Sequence, residues 1–250
     1  MAKPLIIANW KMNPLTLKEA ISLASAIEEC ATQVKNVEIV LAPPFPFLGA
    51  IKNVIKKSKL GAQDSFWADF GPYTGEVSWK QLAHIGVEYA IIGHSERRLH
   101  LNESDELIDK KTDALLRNGM KTVLCIGERE REGGDIPIAV GMQLKSALRG
   151  VKKNMIKNLI VAYEPIWAIS TNPGARPDTP DNAFRATLYI RKILIELYGR
   201  AAGDVRIIYG GSVKSTNVAS FLREGKMEGV LVGGASLDPR EFTEIIRNAK

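Results

Sequence analysis

A single glutamate, Glu164, stands in the segment AYEPIWAISTNPGARPDTP, residues 162–180, between an apolar run and a long loop of Ser, Thr, Asn, Pro and Gly. A carboxylate in that position can serve as a general base beneath a moving loop, or it can be only the last polar residue of a buried strand. Other polar groups that could act with it follow other apolar runs: the carboxamide of Asn9, the ammonium of Lys11 and the imidazole of His94.

Two glycine-rich turns indicate a phosphate site. One holds Gly210, Gly211 and Ser212, and the other holds Gly233 and Gly234. Glycines let backbone N–H groups approach oxygens closely, and a following helix start favours negative charge, although a glycine pair after a strand is usually only a tight turn. The dinucleotide fingerprint and the Walker lysine pattern are both absent from the sequence, so we expect a small phosphomonoester.

With phosphate held at these turns, Glu164 can take a proton from the carbon next to a carbonyl, while His94 and Lys11 face the oxygen on which enediolate charge develops. The simpler alternatives are a buried ion pair between Glu164 and Lys11 and a structural histidine, which is how we interpret His84 and His100. Since no cluster of acids and histidines has ligand spacing, we expect no metal.

Eight apolar, β-rich runs must position these groups. Each is too continuously apolar for a half-solvated antiparallel strand, so we predict eight buried parallel strands. The runs are LIIANW, VEIVLAPP, KLGAQD, YAIIGHS, TVLCIGE, LIVAYEP, VRIIYGGS and GVLVGG.

Helix signals separate the runs. Thr16 to Glu19 has the pattern of a capping box, Thr179 with Pro180 and Asp238 with Pro239 have the pattern of helix starts, and Gly199 can end a helix. Eight strand-then-helix units without a linker favour an α/β fold, a single-domain (β/α)8 TIM barrel over residues 1–250. All the candidate residues would then lie at the C-terminal ends of the strands, and this coincidence favours catalysis over independent structural roles.

Composition restricts the class of protein. The 250 residues are 45% hydrophobic and 25% charged, as in globular proteins. The net charge of +6 comes from scattered basic pairs, so we expect no nucleic-acid partner. We find no signal peptide and no apolar stretch near the roughly 20 residues of a membrane span, and Cys30 and Cys125 lack metal-type spacing. We therefore expect a soluble cytoplasmic protein without a membrane partner.

Eight motifs together resemble the triosephosphate isomerase family, in the family's order and over nearly the whole chain. They are ANWKMN, LAPPFPFL, YTGEVS, IIGHSERR, CIGE, AYEPIWAI, YGGSV and LVGGASL. The resemblance implies the interconversion of dihydroxyacetone phosphate and D-glyceraldehyde 3-phosphate, a step of glycolysis and gluconeogenesis, without a cofactor. It implies that Glu164 is the base, that a neutral His94 is the electrophile, and that Lys11 and Asn9 contact the substrate oxygens.

The resemblance also implies further site residues. Phosphate would lie against Ser170, Ser212, Gly233 and Gly234, and Glu96 beside His94 would support the catalytic groups. The alternatives are a barrel that binds a phosphorylated ligand without catalysis, or an isomerase of another phosphosugar, which would have no reason to carry this base and electrophile pair.

A long segment, residues 64–78, would form a homodimer if the resemblance holds. In the family this arm enters the partner's pocket, so Thr74 would approach Asn9 and Lys11 of the partner subunit, and Glu76 could pair with Arg97 there. The alternative is a disordered surface insertion. Four aromatic residues within the arm argue against it, because an exposed apolar loop is a liability in a monomer.

Two segments depart from the family's pattern. REREGGDIPI after CIGE is shorter than usual, and residues 170–175 replace the common GTGKTA of the lid, the loop that follows Glu164. Pro173 fixes its own φ, so we expect the lid to pivot about Gly174 and Ala175, with the Ser170 N–H still reaching phosphate.

Overall fold

The computed structural model of the chain describes residues 3–131, 133, 135–170, 172 and 174–249. All eight predicted strands are present, and each pairs in parallel with its sequence neighbours, with β8 closing on β1. The predicted single-domain (β/α)8 barrel is therefore confirmed; its extension to the chain ends at residues 1–2 and 250 lies outside the described residues. The strands are β1 Leu5–Asn9, β2 Glu38–Ala42, β3 Lys59–Ala62, β4 Tyr89–Ile92, β5 Lys121–Ile126, β6 Leu159–Tyr163, β7 Arg206–Tyr209 and β8 Gly229–Val232.

Helices cover the outside of the barrel and begin where the sequence predicts. Thr16 and Glu19 form the capping box, Thr179 accepts a hydrogen bond from the third residue of its helix, and Gly199 ends that helix at a φ of 62°. Asp238 caps the last helix by accepting from two backbone N–H groups. The α-helices of the described residues are α1 Leu17–Gln33, α2 Leu48–Val54, α3 Trp79–His84, α4 Ser95–His100, α5 Asp105–Arg117, α6 Ile138–Ala147, α7 Pro180–Tyr198, α8 Val218–Arg223 and α9 Pro239–Asn248.

The strands alternate between the barrel interior and the layer beneath the helices. In β1, Leu5 and Ile7 belong to the interior cluster, whereas Ile6 belongs to the larger cluster between strands and helices. The period of two places Asn9 on the interior side, and the same alternation places Glu164 after the interior residues of β6. Packing of the apolar strands thus sets the direction of two of the predicted site residues.

A polar cluster closes the N-terminal end of the barrel. Glu38, Tyr89, Lys121 and Arg206 are each the first residue of a strand, and Glu38 accepts from the other three. Burial opposes ionisation of Glu38, but these hydrogen bonds and the charges of Arg206 and Lys121 outweigh it and lower the pKa of Glu38 to about 2. This end is a stability element that lies opposite the predicted site.

The described residues contain two free, buried cysteines. Within them, no helix combines the length and the apolar character that crossing a bilayer requires. No group of three or more His, Cys, Asp or Glu side chains in that part of the chain is placed to hold a metal ion.

Candidate active site

The C-terminal ends of the strands surround a cavity of about 560 Å³. It is lined by eight of the residues that the sequence predicts for catalysis and phosphate binding. They are Asn9, Lys11, His94, Glu164, Ser170, Ser212, Gly233 and Gly234. The structure therefore brings into one place residues that are up to 225 positions apart, counting from Asn9 to Gly234.

Glu164 lies at the end of β6 with only 2% of its surface exposed. Its Oε2 accepts a hydrogen bond of 2.9 Å from the backbone N–H of Ser95. Its Oε1 has no hydrogen-bond partner among the described residues and lies 3.3 Å from Nε2 of His94. One oxygen thus holds the carboxylate in place, and the other has an unused hydrogen-bonding capacity at the cavity.

Two glycines make room for Glu164 on either side. A Cβ atom added to Gly127 would lie 1.7 Å from the backbone oxygen of Glu164, and one added to Gly210 would lie 2.8 Å from its Cγ. Real Cβ contacts are not that short, so neither position accepts a side chain without displacing Glu164. Gly210, the glycine after β7, therefore makes room for the Glu164 side chain.

His94 is the N-cap residue of α4, and its protonation state follows from its hydrogen bond. The backbone N–H of Glu96 donates to Nδ1 at 3.2 Å, so Nδ1 carries a lone pair and the ring proton lies on Nε2. That nitrogen is the one that faces Glu164 at the cavity. The hydrogen bond at Nδ1 thus favours an imidazole with its N–H on Nε2, in a side chain that lines the cavity.

Lys11 has a φ of 53°, a conformation that non-glycine residues seldom adopt. Its N–H donates to Oδ1 of Asn9 at 3.0 Å, and the Gln63 side chain donates to the carbonyl of Lys11 at 2.8 Å. Its Nζ pairs with Oε1 of Glu96 at 2.5 Å. Glu96, the predicted supporting residue, therefore contacts the ammonium of Lys11 through its side chain and the imidazole of His94 through its backbone N–H. A Cβ at Gly233 would lie only 3.2 Å from Cε of Lys11. Surrounding contacts thus hold the strained lysine in the cavity.

A hydrogen-bonded pair of serines lies at the end of the cavity where we predict phosphate binding, called the phosphate end below. The Ser170 N–H, which we expect to reach phosphate, donates to Oγ of Ser212 at 2.8 Å, and that hydroxyl donates to the carbonyl of Ala168 at 2.7 Å. Ser170 does not have a positive φ, so glycine is not required there. For Ser170 to bind phosphate, its N–H must leave Ser212 or share its hydrogen with both oxygens.

The lid is described except at Thr171 and Pro173, so the predicted stiffening by Pro173 lies outside the described residues. Gly174 has a φ of 74°, which favours glycine, and Ala175 donates from its backbone to the carbonyl of Asn172 at 3.2 Å. These contacts are compatible with a pivot at Gly174 and do not test it.

Sequence reasoning missed several residues that hold the site together. The backbone N–H of Ser95 and the side chain of Gln63 are two of them. A third is Glu128, which accepts from Tyr163 Oη at 2.7 Å and from Trp167 Nε1 at 3.0 Å. Glu128 ends the CIGE motif and follows β5 by two residues. Its place after a strand end is the sequence feature that would have indicated a residue of the site. Near Glu164, burial and the carboxylate of Glu164 raise the pKa of the Cys125 thiol well above its usual range and keep it neutral.

The arm, residues 64–78, does not bring Thr74 to the cavity of its own chain, because Thr74 is exposed and does not line it. Within the arm, the Phe66 ring stacks on that of Trp67 at a centroid distance of 3.8 Å, and Tyr73 lies 4.6 Å from Phe66. The backbone N–H of Phe66 donates to the carbonyl of Val77 at 2.8 Å. This hydrogen bond joins the two ends of the arm, which a loose surface insertion would not require.

Arg97, which we expect to pair with Glu76 of the partner subunit, is engaged within its own chain. Its guanidinium contacts Asp64 at 2.8 Å and Glu103 at 3.3 Å, and Lys111 pairs with both carboxylates. The two acids and two bases balance in charge. A contact with a partner's Glu76 would therefore be an addition to a neutral network.

Comparison with known proteins shows which family the chain resembles over its length. The family model described as triosephosphate isomerase matches residues 4–249. A triosephosphate isomerase of Thermoanaerobacter sp. (strain X514) is 43% identical, with 98% of this chain and 99% of the relative covered. The triosephosphate isomerases of Endomicrobium trichonymphae, 40% identical with both chains fully covered, and Lactiplantibacillus plantarum, 41% identical with 98% of each covered, are similar as well.

Proposed function

The chain belongs to the triosephosphate isomerase family and interconverts dihydroxyacetone phosphate and D-glyceraldehyde 3-phosphate, and we propose that Glu164 is the base of this reaction. The observation that supports the proposal most is the buried carboxylate with one oxygen anchored on Ser95 and the other free beside the Nε2 of His94. A base fixed in position but with an unoccupied oxygen meets the geometric requirement for proton abstraction.

The reaction moves one proton between neighbouring carbons. Glu164 takes it from the carbon next to the substrate carbonyl, the C–H electron pair forms the enediolate double bond, and the carbonyl oxygen gains negative charge. The hydroxyl proton on the first carbon is transferred to the former carbonyl oxygen, so that the first carbon becomes the new carbonyl, and return of a proton to the adjacent carbon completes the isomerisation. No electron is gained or lost overall, which agrees with the predicted absence of a cofactor.

Charge on the enediolate oxygens would be stabilised by groups that are already oriented. The Nε2–H of His94 would donate to one oxygen, and the ammonium of Lys11, whose backbone is held by Asn9 and Gln63, would interact with the other. Substrate oxygens would compete with Glu96 for Lys11 Nζ. Preorganised donors of this kind stabilise a transition state because they need not reorient as charge develops.

Phosphate would be bound at the opposite side of the cavity, by backbone N–H groups of Ser170, Gly233 and Gly234 and the hydroxyl of Ser212. Gly234 opens a 3₁₀ helix, Gly234–Leu237, and a Cβ there would meet no atom within 4 Å. The open backbone at this turn supports close approach of an oxyanion. Lid closure over this end would exclude water from the enediolate.

We also propose a cytoplasmic homodimer formed through the arm. Phe70 is 85% exposed and Tyr73 43% exposed beside a concave surface of the arm and α3, an apolar patch that burial in a partner would remove from water. A chain with residues 66–73 replaced by a short polar turn should sediment as a monomer with little activity. A wild-type protein that is monomeric and fully active at assay concentration would contradict the dimer.

Glu164→Gln tests the base. The amide keeps an acceptor for the Ser95 N–H but cannot take up the proton, so kcat should fall by about a thousandfold or more while inhibition by inorganic phosphate stays unchanged. Glu106→Gln is the matched control, because the Glu106 side chain is 74% exposed on α5. Near wild-type turnover in Glu164→Gln would refute the assignment. A wild-type chain that binds phosphate without isomerase activity would favour the non-catalytic alternative.

A further inference from the structure

Arg176, which follows the lid, contacts two other segments although its surface is largely exposed. Its Nη2 donates to the carbonyl of Arg131 at 2.9 Å, in the loop after β5. Its guanidinium carbon lies 5.2 Å from the ring centroid of Trp167, within the range of a cation–π interaction. Its backbone N–H donates to the carbonyl of the same Trp167 at 3.1 Å. The Arg176 side chain thus links Trp167, which precedes the lid, to the loop after β5 at the barrel rim.

Trp167 connects these contacts to the phosphate end. It is the middle residue of the 3₁₀ helix Ile166–Ala168, and its indole N–H donates to Glu128 at 3.0 Å. The next residue, Ala168, accepts from Oγ of Ser212, which in turn accepts from the N–H of Ser170. A displacement of Trp167 would therefore move the groups that close the phosphate end.

The chain on the C-terminal side of Arg176 is held through Asp178, two residues further on. Asp178 accepts from Tyr209 Oη at 3.1 Å and from the backbone N–H of Thr179 at 2.7 Å. Tyr209 is the last residue of β7, the strand that leads directly into Gly210 and Ser212. Arg176 therefore does not lie on a free surface loop, since the chain on its C-terminal side is tied to the strand that carries the phosphate turn.

We propose that Arg176 is a positioning residue of the isomerisation, which holds Trp167 so that Ala168 and Ser170 stay in register with Ser212. The inference rests on the proposed function, because it assigns the effect to the phosphate end. A planar guanidinium can stack on the indole and donate to a carbonyl at the same time, whereas a lysine ammonium provides the charge and one donor without the flat stacking surface.

The test compares substrates with and without phosphate. Arg176→Ala should lower kcat/KM for D-glyceraldehyde 3-phosphate by about five- to thirtyfold, the factor that corresponds to loss of a weak stacking contact and a hydrogen bond. Isomerisation of D-glyceraldehyde, followed by NMR at high enzyme concentration, should not change, because that substrate makes no phosphate contact. The melting temperature should stay within a degree or two of wild type. Arg176→Lys should recover part of the loss.

Two further variants separate positioning from a general structural effect. Arg117→Ala is the control, because Arg117 is an exposed arginine on α5 that pairs only with Asp113 among the contacts of the described residues. In a Trp167→Ala background, Arg176→Ala should cause no additional loss, because the two residues act through one contact.

Several outcomes would overturn the inference. An equal loss on both substrates would show a general defect, and an undiminished loss in the Trp167→Ala background would show that Trp167 is not the route. Full activity of Arg176→Ala in an active enzyme would refute the inference alone. A wild-type chain without activity on D-glyceraldehyde 3-phosphate would refute the proposed function as well, so the two failures are distinguishable.

Discussion

Gly210→Ala should impair the base without touching a substrate-binding group. The added Cβ would lie 2.8 Å from Cγ of Glu164, 3.3 Å from the carbonyl of Tyr163 and 3.6 Å from Oε1 of Glu164. Gly210 does not have a positive φ, so alanine is compatible with the backbone there. The perturbation is therefore a steric displacement of one carboxylate.

The size of that displacement follows from the distances. Ordinary van der Waals contact begins at 3.4 Å, so Cγ of Glu164 must recede by about 3.4 − 2.8 = 0.6 Å. The carboxylate would then leave its 2.9 Å hydrogen bond to Ser95 and its place beside His94. Because a misplacement of about 1 Å can cost about a hundredfold in rate, we expect kcat to fall by about tenfold or more. Overpacking should cost about 1–3 kcal/mol in the free energy of unfolding.

The assay is isomerase turnover coupled to a dehydrogenase, with inhibition by inorganic phosphate as the measure of the phosphate end and urea unfolding as the measure of stability. Gly203→Ala is the control, because a Cβ there would meet no atom within 4 Å. The phosphate inhibition constant of Gly210→Ala should equal that of wild type. A folded Gly210→Ala protein with kcat within about twofold of wild type would refute the reasoning, since it would show that rate does not depend on this placement of Glu164.

Two other predictions concern stability and the lid. Because the pKa of Glu38 is lowered to about 2, its contribution is present near neutral pH and is lost as pH falls from about 4.5 towards 2. The difference in unfolding free energy between wild type and Glu38→Gln should therefore shrink by about 1–3 kcal/mol over that range, and a difference independent of pH would contradict it. Gly174→Pro cannot keep a φ of 74°, so it should lower turnover and raise the fraction of substrate lost to methylglyoxal, whereas Ser170→Gly should change both only slightly. Wild-type levels of both products in Gly174→Pro would place the pivot elsewhere.

The barrel could be predicted from sequence because its signals are local. Strands buried on both faces must be continuously apolar, and helix starts such as Thr16 and Asp238 satisfy their own N–H groups within a few residues. Asn9 and Glu164 follow from the same pattern, because a residue after an apolar strand of a parallel barrel lies at the C-terminal rim. The assignment of roles depended on the resemblance as well.

The rest could not be predicted because it depends on distances between remote segments. The N–H of Ser95 anchors a carboxylate 69 residues away, and Gln63 bonds the carbonyl of Lys11 across 52 residues. Likewise, the sequence shows Arg97 beside the site but does not show that Asp64 and Glu103 already balance its charge. Such contacts are set by how the loops converge, which no periodicity or capping rule specifies.

The two ends of the barrel hold a glutamate in opposite ways, half-buried at one end and buried at the other, and the contrast separates stability from the proposed chemistry. At the N-terminal end, Glu38 accepts hydrogen bonds from a phenol and two cationic side chains, so its oxygens are occupied and it remains an anion that ties strands together. At the C-terminal end, Glu164 is more deeply buried, yet its Oε1 has no hydrogen-bond partner among the described residues. An unpaired buried oxygen destabilises the fold, and at the cavity an incoming substrate that binds this oxygen would offset that cost. The same argument predicts that a donor aligned with Oε1, which Nε2 of His94 at 3.3 Å is not, would stabilise the chain and abolish turnover together.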